Sequence, residues 1–287
     1  MRARLSRLIL ILAGLGLSAC ARMPDHVALD INARNNIHST DIVAPVRQGE
    51  VYVFVPQANP ASAGGGLLGA LIVAGVDAVR TTKAEDAVKP LRDAAIDFNF
   101  DDLLRQDLQA SMSKVQWLNV TDVKVIKDVA TASLDSAITN SKASAVLMVG
   151  ADYHLSNDGG TFYIAVGARM FPNSPALTPP KATDANAKPK SDVNNVIYRN
   201  TFTFEAKVPG ATDDRDRNMG VWAANHGELL RAATTRGVAK LTELMAADIQ
   251  EAPLATAEQG KAEKVLGDGA DGVLTRRANG TLAFAAK

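Results

Sequence analysis

The hydropathy pattern divides the chain into a leader, a polar approach and a long run of alternating or helical segments. Arg2, Arg4 and Arg7 precede an uninterrupted apolar stretch from Leu8 to Leu17. A basic start, a short apolar run and small residues at Ser18 and Ala19 predict a secretory signal peptide over residues 1–19. The apolar run has about half the length a helix needs to cross a bilayer. Residues 20–48 are polar with little periodicity, which predicts a tether with a short strand at Ile37–Val43. Glu50–Val55 is β-branched and aromatic and ends at Pro56, so it reads as the first strand of the folded domain. Gly64–Asp77 is small and apolar nearly all round. It reads as a segment packed tightly or flexibly against the domain, as a contact with other copies, or as a contact with a membrane surface. Pro90 interrupts Ala84–Ala95 and predicts no more than one or two short helices there.

From Asp97 to Val115 the period changes to that of an amphipathic helix. Phe100, Leu103, Leu104, Leu108, Met112 and Val115 share one stripe, and Asp101 and Asp102 sit near the positive amino end. Val120–Lys127 alternates as a strand, and Thr131–Ser141 predicts a short helix. Ser144–Ser156 contains the continuous apolar run Ala145–Val149, which suits a strand covered on both faces. Asn157-Asp158-Gly159-Gly160 is a hairpin turn signal, and Thr161–Phe171 returns from it. Pro172–Asn195 is rich in proline and polar residues and predicts a flexible insertion. Val196–Val208 resumes as a strand, and Asp213–Arg217 reads as a solvated loop. Gly220–Gln250 predicts a second long helix stopped by Pro253. Residues 256–272 are polar and glycine-rich. Val273–Phe284 carries Asn279-Gly280 between two short runs, a hairpin that either covers a sheet edge or meets a partner.

These elements predict an α+β fold: a three- to five-stranded mixed sheet packed by two long amphipathic helices, with a lipidated N-terminal tether and a C-terminal β-hairpin. The predicted boundaries are 1–19 (signal peptide), 20–48 (tether), 49–252 (α+β domain with a flexible insertion at 172–195) and 253–287 (linker and hairpin).

Charge and cysteine content narrow the function. The 287 residues carry 31 basic and 31 acidic side chains. Removing residues 1–19 takes three arginines and no acids, leaving a net charge of −3. That balance gives no support for a nucleic-acid partner, which would need a basic excess. The single cysteine, Cys20, excludes an internal disulfide. No later segment reaches the 18 apolar residues of a second membrane span.

Candidate chemistry is sparse. His26, His38, His154 and His226 show no zinc-ligand spacing, and no nucleophile elbow is present. Gly64–Gly69 lacks the ending of a phosphate loop. His154, with Asp152 and Asp158 close in sequence, is the best candidate for acid–base work, against the commoner reading of a strand-end histidine. The expectation is therefore no catalytic residue, no metal and no cofactor beyond a covalent lipid.

Leu17-Ser18-Ala19-Cys20 resembles the lipobox of bacterial lipoproteins. The resemblance implies cleavage before Cys20, a diacylglyceryl thioether on its sulfur and an acyl group on the new amino terminus. It thus implies a membrane contact through the lipid anchor, and two such chains give stable anchoring. Ala21, where an aspartate implies inner-membrane retention, favours the outer membrane with the body facing the periplasm. Over Glu50–Gln250 the order of elements resembles the domain shared by the amino-terminal part of TolB, the curli-secretion lipoprotein CsgG and the lipoprotein activators of penicillin-binding proteins. The glycine-rich stretch followed by Arg80 and Ala84-Glu85 also resembles a group of proteobacterial lipoproteins. The Pro172–Asn195 insertion and the C-terminal hairpin depart from that pattern. The resemblance implies a non-enzymatic cell-envelope lipoprotein that binds an envelope protein as an accessory or assembly subunit. A second expectation is self-association through residues 64–77, against other copies or the bilayer. A third is an envelope hydrolase working through His154 and Asp152.

Overall fold

The computed structural model describes residues 26–46, 48–56, 66–127, 136–177, 195–251 and 263–287, without the side chains of 66–79. The predicted signal peptide and Cys20 lie outside these residues. So do the Gln57–Ala63 loop, most of the Pro172–Asn195 insertion, the start of the Thr131–Ser141 helix and Pro253.

Alternation decides the sheet. Along Thr161–Pro172, the side chains of Phe162, Ile164, Val166, Ala168 and Met170 are fully buried, while the residues between them are not. A period of two places the first set on one face and the second on the other. The described strands are β1 (Thr40–Pro45), β2 (Tyr52–Val53), β3 (Val120–Ile126), β4 (Ala145–Leu155), β5 (Thr161–Pro172), β6 (Tyr198–Lys207), β7 (Lys264–Asp268), β8 (Gly272–Arg276) and β9 (Leu282–Ala286). They form one mixed sheet in the order β3-β1-β4-β5-β6-β9-β8-β7, with β2 pairing beside the far end of β4. β4, β5 and β6 are an antiparallel meander. β1 pairs in parallel with β3 and β4, and β9 pairs in parallel with β6.

The inner face carries the helices α2 (Gly66–Ala94), α3 (Phe100–Met112) and α4 (Arg215–Gln250). A short α1 (Ile31–Asn35) precedes β1. In α3 the predicted stripe is observed, with Phe100, Leu104, Leu108 and Met112 buried. Asn99 caps it by accepting from the Asp102 N–H at 3.1 Å. Trp222 of α4 is fully buried and donates from Nε1 to the Gly159 carbonyl at 2.8 Å, so it grips the β4–β5 turn.

The fold is α+β as expected, but larger and differently bounded. The described residues hold nine strands rather than three to five, and three long helices rather than two. β1 lies inside the sheet between β3 and β4, with Ile42 and Ala44 fully buried, so residues 26–46 belong to the folded body and not to a tether. The expected first strand, Glu50–Val55, shrinks to Tyr52–Val53. The hairpin at Asn279-Gly280 is present, and it extends the main sheet through β6 and gains β7, which polar composition concealed. α2 runs from the glycine-rich stretch straight through Pro90. Pro90 is exposed, and the buried Ala84, Val88 and Leu91 at helical spacing hold the turn that the proline weakens. α4 begins at Arg215, five residues before the predicted start, because Asp214 caps it and the Arg215 guanidinium reaches Asn157.

The chain enters the body at the end of the sheet where β6 starts. Val27 and Arg199 exchange backbone hydrogen bonds of 2.8 and 2.9 Å. His26 is buried in a notch that a Cβ on Gly280 would fill, at 2.5 Å from the His26 Cβ. Beside it, Asp248 of α4 accepts from the Tyr198 hydroxyl at 2.7 Å and from Asn200 at 2.9 Å. Burial pushes the Tyr198 phenol well above its ordinary pKa, with the Asp248 charge adding to it. Burial lowers the pKa of His26, against the Asp248 charge.

α4 approaches the sheet closely at Gly237. A Cβ there would lie 2.6 Å from Ile164 Cδ1 and 2.7 Å from a Phe204 ring carbon. Gly237→Ala is expected to destabilise by about 1–3 kcal/mol through overpacking, despite the roughly 1 kcal/mol that alanine's helix propensity returns. Chemical denaturation of the two proteins checks this.

Candidate functional site

The sheet's outer face is only partly covered. A turn of helix at 136–139 brings Ile138 onto Val43, Val146 and Phe171. Further along β4 and β5, a Cβ at the paired Gly150 and Gly167 would meet nothing within 4 Å. The face then ends in one row of cross-strand neighbours: Tyr52 on β2, His154 on β4, Tyr163 on β5 and Glu205 on β6. The His154 ring stacks between Tyr52 and Tyr163, with centroids 5.5 and 5.4 Å away and interplanar angles of 29° and 27°. Phe54, half exposed, tilts against it at 5.7 Å.

Asp152, two residues before His154 on the same face, completes the group. It lies 2.9 Å from His154 Nδ1 and accepts from the Tyr52 hydroxyl at 3.0 Å. The His154 hydrogen bond holds the Asp152 carboxyl below its usual range, aided by the Tyr52 bond and opposed by burial. Burial and the bond to Asp152 push the Tyr52 phenol up to about 12. The carboxylate can only accept, so Nδ1 of His154 is the donor in their bond. Among the described residues, the Tyr52 phenol is the only hydroxyl or thiol hydrogen-bonded into this group.

The structure thus joins two of the three predicted residues. Asp158 is separate: it accepts from Ser156 Oγ at 2.5 Å and the Gly160 N–H at 2.9 Å, and so closes the hairpin turn. The Ser156 bond is the main cause of its lowered pKa. The histidines are dispersed. His38 bonds through its backbone to Ser144 and Asn119, and His226 lies in a helix break. No group of three or more histidine, cysteine, aspartate or glutamate side chains able to hold a metal occurs among the described residues. Cys20 lies outside them.

On the inner side of the same sheet end is a cavity of about 200 Å³, walled by Val51, Phe98, Phe100, Tyr153, Leu230 and Thr234. Glu50 and Arg92 stand at its rim. The Arg92 guanidinium is held by the Val51 carbonyl at 2.7 Å, Glu85 at 2.7 Å and Glu50 at 3.2 Å. Burial first, then the charges of Asp101 and Glu50, raises the Tyr153 phenol to about 12. Next to the cavity α4 breaks. Asn225, His226 and Gly227 take left-handed φ values of 51°, 57° and 72°. Asn and His are among the side chains that tolerate this region best, yet such residues still cost of order 1 kcal/mol each. Arg231 clasps the break to the end of α2, donating to the His226 carbonyl at 2.9 Å and the Ala94 carbonyl at 2.8 Å and pairing with Asp97. Sequence patterning missed this cavity because four separate segments wall it.

Compared with known proteins, the chain matches no family model and no curated sequence.

The folded-state pKa of Asp152 is depressed, so its contribution to stability is present above the unfolded carboxylate pKa of roughly 4 and is lost as the pH falls through the lower folded value. Asp152→Asn removes that contribution. The variant is expected to melt lower than the parent at neutral pH, with the gap closing as the pH drops below about 4. Thermal melts across that range check it.

Proposed function

We propose that the chain is a lipid-anchored, non-enzymatic protein of the cell envelope, held at the outer membrane through Cys20 and binding a protein partner as an accessory or assembly subunit. The observation that carries this reading is the placement of the only cysteine. It follows a basic-then-apolar run directly, and His26, six residues later, is already buried in the folded body. No helix among the described residues is long and apolar enough to cross a membrane, and a lipid anchor needs none. The half-buried row of Tyr52, His154 and Tyr163 with the exposed Phe54 supplies aromatic side chains of the kind that dominate protein interfaces. The packed ring stack around His154 supports a binding role over hydrolysis. The resemblance to the TolB and CsgG type of domain points the same way.

Cys20→Ser is expected to move the protein from the membrane fraction to the soluble fraction and to abolish the acyl mass on the amino-terminal peptide. Mass spectrometry showing an unmodified thiol at residue 20 of the parent would overturn the anchoring. Phe54→Ala with Tyr163→Ala is expected to lose the partner recovered by pull-down from detergent-solubilised envelopes.

A second reading, self-association through residues 64–77, gains from the helical backbone of α2. A helix aligns Gly66, Ala70 and Ala74 at four-residue spacing on one face. Under this reading, whole-cell crosslinking yields a ladder of homo-oligomers, and Ala70→Leu with Ala74→Leu removes it. A ladder that survives the pair of substitutions dismisses this segment as the contact.

A further inference from the structure

We infer that the cavity on the inner side of the sheet end binds a small organic cation, an amine with an aromatic or branched apolar body. Its ammonium group meets Asp101 and Tyr153, and its body lies among Val51, Phe98 and Leu230. This holds whether or not Cys20 is acylated.

The cavity opens into a second lobe of about 320 Å³ that is lined by Asn99, Asp101 and Lys127. Phe98, Phe100 and Tyr153 wall both lobes, so the two are continuous. Their size falls within the range of roughly 300–1,000 Å³ typical of small-molecule sites. Two polar groups here lack partners. Tyr153 is only 8% exposed and its ring rests on Phe100 at 4.4 Å, yet among the described residues nothing hydrogen-bonds to its hydroxyl. Asp101 pairs through Oδ2 with Lys127 at 2.8 Å, and its Oδ1 is buried with no hydrogen-bond partner. A buried acceptor left unpaired is costly, and a ligand N–H that reaches it removes the penalty. The inner lobe is different. Arg92 is already held by three oxygens, and the Thr234 hydroxyl donates to the Leu230 carbonyl at 2.7 Å, so the wall there offers carbon to a ligand.

The walls also set the sign of the ligand's charge. The charged side chains lining the two lobes are Glu50, Asp93, Asp97 and Asp101 against Arg92 and Lys127. Glu85 and Arg231 stand behind them, paired with Arg92 and Asp97. Among the described residues, five carboxylates thus face three cations. A protonated His226, whose charge reaches Asp97, still leaves the acids in excess. The next charged residues along the chain after Lys127 are Asp128 and Asp135, again acids. The Tyr153 phenol senses the same field: burial first, then the charges of Asp101, Glu50 and Asp152, raises it to about 12. Its ring face attracts a cation as well. An anionic ligand would be repelled and would leave Asp101 Oδ1 unpaired.

The test is isothermal titration of the full chain, at neutral pH and low salt, with 2-phenylethylamine, which is protonated there. 2-Phenylethanol and 3-phenylpropionate keep the apolar body and replace the charge. The amine is expected to bind at least about tenfold tighter than the alcohol, and the propionate not to bind. Asp101→Asn is expected to weaken the amine by about tenfold and to leave the alcohol unchanged. Tyr153→Phe, which keeps the ring on Phe100, is expected to weaken the amine several-fold. Asp213→Asn, in the exposed loop after β6, is the control and is expected to change nothing. Thermal melts establish that each variant is folded, and if Asp101→Asn is not, Tyr153→Phe decides alone. Alcohol or propionate binding as tightly as the amine overturns the charge assignment. An amine affinity that ignores both Asp101→Asn and Tyr153→Phe overturns the site. No binding of the amine at millimolar concentration overturns both.

Discussion

The antiparallel pairing of β4, β5 and β6 is the constraint on which the other elements depend. Its alternation sends Leu147, Val149, Ile164, Val166, Phe202 and Phe204 to one side, all fully buried. Burying a side chain of this size contributes about 1.5–3 kcal/mol relative to exposure, so a slip of register by one residue on any of the three strands would forfeit several such terms. The helices take their positions from this surface: Gly237 lets α4 approach Ile164 and Phe204 closely, and Ser111 of α3 meets Thr242 of α4 through a buried hydroxyl pair at 3.1 Å. The same alternation sends Asp152, His154 and Tyr163 to the opposite face. Core and candidate site are two readings of one periodicity.

Much of this was legible in the residues. The stripe on α3, the turn at 157–160, the two long strands around it and the Asn279-Gly280 hairpin all follow from local period and turn chemistry, and the structure has them close to the expected bounds. What escaped was non-local. The residues predict a strand overlapping β1, at Ile37–Val43, but as part of a tether, because its burial comes from β3 and β4, far along the chain. β7 is exposed along its whole length, so no apolar period marks it. α2 passes through Pro90 because three core contacts outweigh one lost hydrogen bond, a balance that propensity alone decides the other way.

The site divides in the same manner. Asp152 and His154 are two apart on one strand, so a period of two puts them on one face from sequence alone. Tyr52 joins them only because β2 lies in parallel beside the end of β4, and that pairing spans a hundred residues. Asp158, equally near in sequence, is diverted by the turn it closes. The cavity on the inner side needs the approach to β2, the passage from α2 into α3, Tyr153 of β4 and the middle of α4 at once.

The left-handed turn at Asn225–Gly227 divides α4 into two cooperative units. Helical order does not propagate through residues in that conformation, so each piece depends on its own contacts. The first piece, Arg215 to about Ala223, is secured by Trp222 and Arg215 onto the β4–β5 turn, and the second by the long apolar seam from Leu230 to Ile249. Loosening the hairpin tip would therefore let the leading quarter of the helix fray while the remainder stays locked on the sheet. That gives the far end of the molecule a segment able to reorganise at a local cost well below that of global unfolding.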